Sequence, residues 1–101
     1  SCGFFTGHWI RLEFVKKGET YKGIIRESDT PSLIGKQQIT GLKHENGNDY
    51  DEGILHIIQK GKTARCSAQL INDSELKLNV RMGLISRTAT WTKLKPKNTP
   101  K

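Results

Sequence analysis

The sequence predicts an all-β fold, a small antiparallel up-and-down barrel of about seven to eight strands. Turn signals recur at short intervals, which suits strands linked one to the next rather than βαβ units. Between the turns, apolar and polar residues alternate with the period of a strand. The two tryptophans, Trp9 and Trp91, lie near opposite ends of the chain, which suggests that the terminal strands meet. Closure of that kind removes the exposed edges that make small sheets stick to one another. With 101 residues and only 34% hydrophobic residues, the chain can form one domain with a thin core. A chain of this length buries about 65% of its unfolded surface, so one apolar face per strand suffices.

The elements follow in order. From His8 to Lys16, Ile10, Leu12 and Phe14 share one face and Trp9, Arg11 and Glu13 the other. Lys17-Gly18-Glu19 turns the chain into a second strand, Thr20 to Glu27, where Tyr21 and Ile25 oppose Lys22, Ile24 and Arg26. Gly23 within it marks a bulge or a close backbone approach. Ser28 to Gly35, with Asp29-Thr30-Pro31-Ser32, reads as a loop holding at most one helical turn. Lys36 to Lys43 is a strand interrupted by Gly41. Glu45-Asn46-Gly47-Asn48 is the clearest hairpin turn, because Asn-Gly tolerates the positive φ angles of a type I′ turn.

Tyr50 to Gln59 follows, apolar on both faces from Ile54 to Ile58. Lys60-Gly61-Lys62 links it to Thr63–Ile71, with Ala64, Cys66, Ala68 and Leu70 on one face. Beyond Asn72-Asp73-Ser74, Leu76, Leu78, Val80 and Met82 form the apolar face of a sixth strand, joined at Gly83 to a seventh, Arg87 to Leu94. Residues 1–7 are expected to be a tether, 8–95 the barrel, and 96–101, with Pro96 and Pro100, a basic disordered tail.

A net charge of +7 raises the question of nucleic acid. The lysines are scattered over turns and edges, however, where they keep a small sheet soluble and discourage edge pairing. Basic charge also suits an anionic membrane surface. No apolar run approaches the roughly 20 residues of a membrane-spanning helix.

The three histidines, His8, His44 and His56, share no metal-ligand spacing, so no metal or other cofactor is expected. His56, inside an apolar run, reads as a structural histidine. Asp49, Asp51 and Glu52 lack the spacing and glycine of a calcium loop. Gly61-Lys62-Thr63 has only the tail of a phosphate loop and lies between strands. Cys66 sits on an Ala/Leu face, where burial rather than nucleophilic reactivity is the expectation. No acid–base or nucleophile constellation emerges, and the chain is not expected to be an enzyme.

At the N-terminus, Ser1-Cys2-Gly3 resembles the processing site of bacterial lipoproteins, in which the cysteine becomes the acylated first residue. Cys2 is therefore the candidate lipidation site, with a Cys2–Cys66 disulfide or two free thiols as alternatives. Gly7-His8-Trp9 resembles the Gly-x-Trp start of lipocalin-like barrels, where the tryptophan covers the barrel floor. The resemblance implies a basic residue packed on that ring, and Arg81 or Arg87 is placed to supply it.

Gly53-Ile54, Gly61-Lys62-Thr63, the run Leu76–Gly83 and the run Ser86–Leu94 together resemble a family of small exported bacterial proteins of unknown function. That family carries a Gly-Lys-x-Tyr hairpin, a Val-Arg-Gly-Tyr strand and an Arg-Thr-x-x-Trp ending. Ala64, Met82 and Lys93 depart from its pattern of Tyr, Gly and Arg. The resemblance implies a lipocalin-like barrel in the periplasm or at the outer membrane, and no established activity.

The resulting expectation is a non-catalytic envelope protein that binds a small hydrophobic ligand or a partner protein, tethered to the membrane through Cys2 if it is a lipoprotein. Trp9, Tyr21, Arg81 and Trp91 are the candidate ligand-binding residues, since aromatic walls with a few polar groups suit a small-molecule pocket. The alternative is a basic OB-like or SH3-like nucleic-acid-binding module, which requires Trp9 or Tyr50 to lie exposed on the sheet for base stacking. A third reading, inhibition of a hydrolase by the protruding 28–35 loop, has no residue that singles it out.

Overall fold

The computed structural model describes residues 3–7 and 10–93. Eight strands form a closed, wholly antiparallel barrel: β1 (Gly3–Thr6), β2 (Ile10–Lys17), β3 (Thr20–Ser28), β4 (Gln37–Asn46), β5 (Asp49–Ile57), β6 (Lys62–Asn72), β7 (Glu75–Met82) and β8 (Ile85–Lys93). Single 3-10 turns at Pro31–Leu33 and Ile58–Lys60 lie in the β3–β4 and β5–β6 connections. Each strand pairs with the next, and β1 closes the barrel by pairing with β8 through Phe5↔Lys93 and Thr6↔Thr92. The Asn46-Gly47 turn joins β4 to β5 with Gly47 at φ 53°, in the left-handed region that glycine occupies without a steric penalty.

Closure comes about differently from the sequence expectation. Residues 3–6, read as part of a tether, are a strand in which Phe5 is buried. A four-residue segment is too short for alternation to be visible, and Phe4-Phe5 only becomes a signal once its neighbours are known. The strand beginning at Ile10 is consequently the second, and Trp9 and His8 lie outside the described residues, as do Cys2 and residues 94–101.

Alternation sorts the rest. Leu12, Ile25 and Ile39 are fully enclosed, surrounded by Phe14, Leu42, Cys66, Ala68, Leu76 and Leu78. The small Ala64/Cys66/Ala68 row of β6 lets these larger residues from other strands fill the interior, as in the smallest packed barrels. Gly53 of β5 completes that accommodation: a Cβ there would stand 2.8 Å from both Cys66 Sγ and Leu42 Cδ1. The outer face carries the charges. Arg26 donates to Glu13 at 2.8 Å, and Arg11 pairs with Glu27, both across β2 and β3. Such partly solvated pairs contribute at most about 1 kcal/mol each.

An up-and-down barrel has two ends. The β2–β3, β4–β5 and β6–β7 turns share one, called the mouth here, and Gly3 of β1 begins there. The β3–β4 loop and the β5–β6 and β7–β8 turns share the other.

Candidate functional site

The mouth holds an apolar cup. Its walls are Phe5, Phe14, Tyr21, Leu42, Tyr50, Ala68, Leu70 and Leu76, with Lys93 at the rim, and they enclose about 80 Å³. Register explains how these residues converge. The pairs Gly3↔Phe14, Tyr21↔Leu42, Tyr50↔Ala68, Leu70↔Leu76 and Phe5↔Lys93 place inward-facing positions side by side around the barrel.

The rings are held edge to face. Tyr21 and Tyr50 have centroids 5.4 Å apart at 89°, and Phe5 and Phe14 lie 5.6 Å apart at 90°. That arrangement sets the positive edge of one ring on the negative face of the other. Gly23 is a close backbone approach, as its sequence position suggested. A Cβ there would stand 3.3 Å from Phe14 Cε2, and the β3–β4 register shifts beside it. Two lysines lie close to the cup, Lys93 at its rim and Lys16 with its Nζ 6.0 Å from the Tyr21 ring centroid. Lys93 Cε and Nζ lie 3.1 and 3.7 Å from where a Gly3 Cβ would be, so the missing side chain leaves this lysine its place over the mouth.

Volume decides what the cup can take. About 80 Å³ is well below the roughly 150 Å³ of an apolar cavity that encloses a benzene ring. The cup therefore suits a short alkyl segment or the tip of a larger molecule, not the burial of a whole lipid chain.

Of the four residues expected to bind ligand, the three described ones, Tyr21, Arg81 and Trp91, are not brought into one site. Tyr21 is in the cup. Trp91 faces inward opposite Leu76 and is half-buried, but its ring lies over Gly7, past the end of β1 remote from the mouth. Arg81 is on the outer face, in register with Arg65, because it alternates with inward-facing Leu78 and Val80. It lines an open outer groove with Asp51, Glu52 and Asn79. Trp9 lies outside the described residues, and so does the expected packing of Arg81 or Arg87 on it. Conversely, Phe5, Tyr50, Leu70 and Lys93 were not grouped with Tyr21 from the sequence. Inward parity was the available signal, but it gives the side of a strand and not the height along the barrel axis.

The polar residues singled out from the sequence have structural surroundings. His56 Nε2 is 2.8 Å from Thr40 Oγ1, and the His56 carbonyl accepts from Gln38 Nε2 at 2.6 Å. Asp51 Oδ1 accepts the Glu52 N–H at 2.7 Å, while Glu52 lies 3.8 Å from Lys43 Nζ. Cys66 is a free, buried thiol whose pKa is pushed up to about 11, first by burial and then by the negative charge of Asp51. A thiol so held is protonated at neutral pH and inert as a nucleophile.

An eight-stranded antiparallel closed barrel with an apolar cup at one end is a lipocalin-like architecture. It aligns with a solved protein of the human pathogen Helicobacter pylori that belongs to the lipocalin family, at a TM-score of 0.76 and 14% identity over 92% of this chain and 82% of that one. Residues 7–93 match the family described as uncharacterized proteins conserved in bacteria (DUF2147), and the chain belongs to that family. No curated protein is similar to it.

Proposed function

We propose that this barrel is a non-catalytic binding protein of the bacterial cell envelope whose mouth cup grips the apolar end of a small ligand. The observation that carries the reading is the cup itself, with ring walls from four aromatic residues and a lysine over the opening. Apolar walls with one polar group fix both the affinity and the orientation of a ligand. Lys93 favours a molecule whose other end is anionic, since its ammonium sits at the rim where charge stays partly hydrated.

The envelope assignment draws on the bacterial family and on Cys2-Gly3, an acyl-acceptor pattern. Mass spectrometry of the chain extracted from cell membranes should find acyl groups on Cys2, and an unmodified chain in the cytosol would remove that assignment. The nucleic-acid reading loses its support at Tyr50, which faces inward opposite Ala68 and packs on Tyr21 instead of presenting a free face.

Titration with straight-chain carboxylates of increasing length, followed by NMR of the Tyr21 and Tyr50 rings, tests the cup. Saturable shifts are expected, and the affinity should stop rising once the cup is full. Ala68→Phe, which fills the space, should abolish them. In Lys93→Ala the advantage of a carboxylate over the matching alcohol should vanish. Rings that do not shift, or shifts that persist in Ala68→Phe, would refute the proposal.

A further inference from the structure

We infer that the tip of the β7–β8 hairpin docks the barrel on an anionic lipid surface, at the end opposite the cup. Every residue from Arg81 to Thr90 is exposed. Three of them are large and apolar: Met82 is 45%, Ile85 62% and Leu84 106% exposed. Leu84 is wholly exposed and Met82 and Ile85 are about half so, and the exposure of such an apolar tip to water is unfavourable until something covers it.

Charge complementarity identifies what covers it. Arg81 and Arg87 flank the apolar residues in sequence, and Arg65 lies directly across from Arg81 in register. Asp51 and Glu52 line the same groove as Arg65 and Arg81, whereas Arg87 lies on the tip side of the hairpin. Lys60 and Lys62 add positive charge from the β5–β6 turn at the same end. Five acidic side chains, Glu19, Glu45, Asp49, Asp73 and Glu75, sit in or beside turns of the mouth end, while Asp51 and Glu52 line the groove beside Arg65 and Arg81 and Asp29 lies in the β3–β4 loop. The hairpin tip itself, Arg81–Thr90, carries two arginines and no acidic residue.

An apolar tip inside a cationic collar matches the boundary between acyl chains and anionic headgroups. Leu84 and its neighbours would enter the acyl region while the guanidinium groups stay at phosphate level. A second copy fits poorly, because the collar of one tip would face the collar of the other. Nucleic acid fits poorly as well, for the tip Met82-Gly83-Leu84-Ile85 offers no ring for bases to stack on.

The inference stands independently of the cup. It is compatible with acylation of Cys2, which immediately precedes Gly3, where β1 begins beside β8. Stable peripheral attachment generally needs two such signals.

Sedimentation of the purified, unacylated chain with vesicles separates the outcomes. Vesicles rich in phosphatidylglycerol should bind it, vesicles of phosphatidylcholine alone should not, and added salt should weaken the binding. Leu84→Asp should reduce binding about tenfold or more, and Arg81→Ala with Arg87→Ala by a similar factor. Leu84→Ile should bind like the parent. Because Leu84 is wholly exposed, neither substitution at 84 should shift the melting temperature. Failure to bind either vesicle overturns the inference. Binding that Leu84→Asp leaves intact also overturns it, since general charge then suffices. A change of oligomeric state in Leu84→Asp would overturn it in favour of a second copy.

Discussion

Alanine in place of Gly7 tests how the two ends of the chain are locked together. A Cβ at this position would stand 2.7 Å from Trp91 Cε3 and Cζ3 and 2.8 Å from Cδ2. Carbon atoms in ordinary contact are about 3.5–4.0 Å apart, so the indole must retreat by roughly 1 Å. Gly7 is not among the residues with positive φ, and alanine meets no backbone strain there. The effect is therefore one of ring displacement. Overpacking of this kind costs about 1–3 kcal/mol, and because Trp91 is half-buried the lower half of that range is expected. For a domain of this size, about 1–2 kcal/mol lowers the melting temperature by roughly 5–15 °C.

The assay is a double-mutant cycle followed by far-UV circular dichroism, which does not depend on the tryptophan. In a Trp91→Ala background the obstruction is gone. Gly7→Ala should then be neutral, or stabilise by about 0.4–1 kcal/mol through the entropy of the unfolded chain. Equal losses in the two backgrounds would refute the contact, and with it the conclusion that the glycine of Gly-x-Trp makes room for the tryptophan of the last strand.

Phe5→Ala should destabilise the barrel by about 3–5 kcal/mol, as expected for a buried ring in the strand that closes the sheet; urea unfolding that moves by less than about 1 kcal/mol would return residues 3–6 to the status of a tether. Cys66 supplies a pH signature. Its pKa is about 9.0 in the unfolded chain and about 11 in the fold, so above pH 9 the unfolded state loses a proton that the native state keeps. Stability from this group is complete below pH 9 and declines as pH rises toward 11. Cys66→Ala should flatten that decline while costing some packing. Urea midpoints measured between pH 8 and 11 check it, and an equal slope in both proteins would rule the thiol out as the cause.

Much of the fold was legible because up-and-down connection and alternation are local properties. The turn at Asn46-Gly47, the inward row Ala64/Cys66/Ala68 and the face Leu76/Leu78 all lie where the period of two placed them. Sequence reasoning failed at positions that depend on register between distant segments. Phe5 has too few strand neighbours to show a period, and its role follows only from pairing with Leu12 and Lys93. Arg81 was attached to the aromatic site through a family resemblance, although it alternates with residues of the apolar face and must point outward. Lys93 was expected only as a residue of the last strand; closure of β8 on β1 turns it over the mouth.

The same register accounts for where binding chemistry can reside in so short a chain. Leu12, Ile25 and Ile39 occupy the middle of the barrel completely, leaving no continuous channel for a ligand to thread. An interior filled in this way leaves recognition to the surface, and the two ends of the barrel differ in kind. At the mouth, inward residues from neighbouring strands converge and the rings face one another, which creates a concave apolar site. At the far end, β8 runs on past the last described pairing with β1, and its inward positions Arg87 and Ala89 are exposed. The β7–β8 hairpin there carries arginines and is tipped with exposed aliphatic side chains. A concave cup suits selection of a small molecule by shape, whereas an exposed basic and aliphatic tip suits a broad, deformable partner. The division follows from one fact of closure: β1 has four residues and β8 has nine.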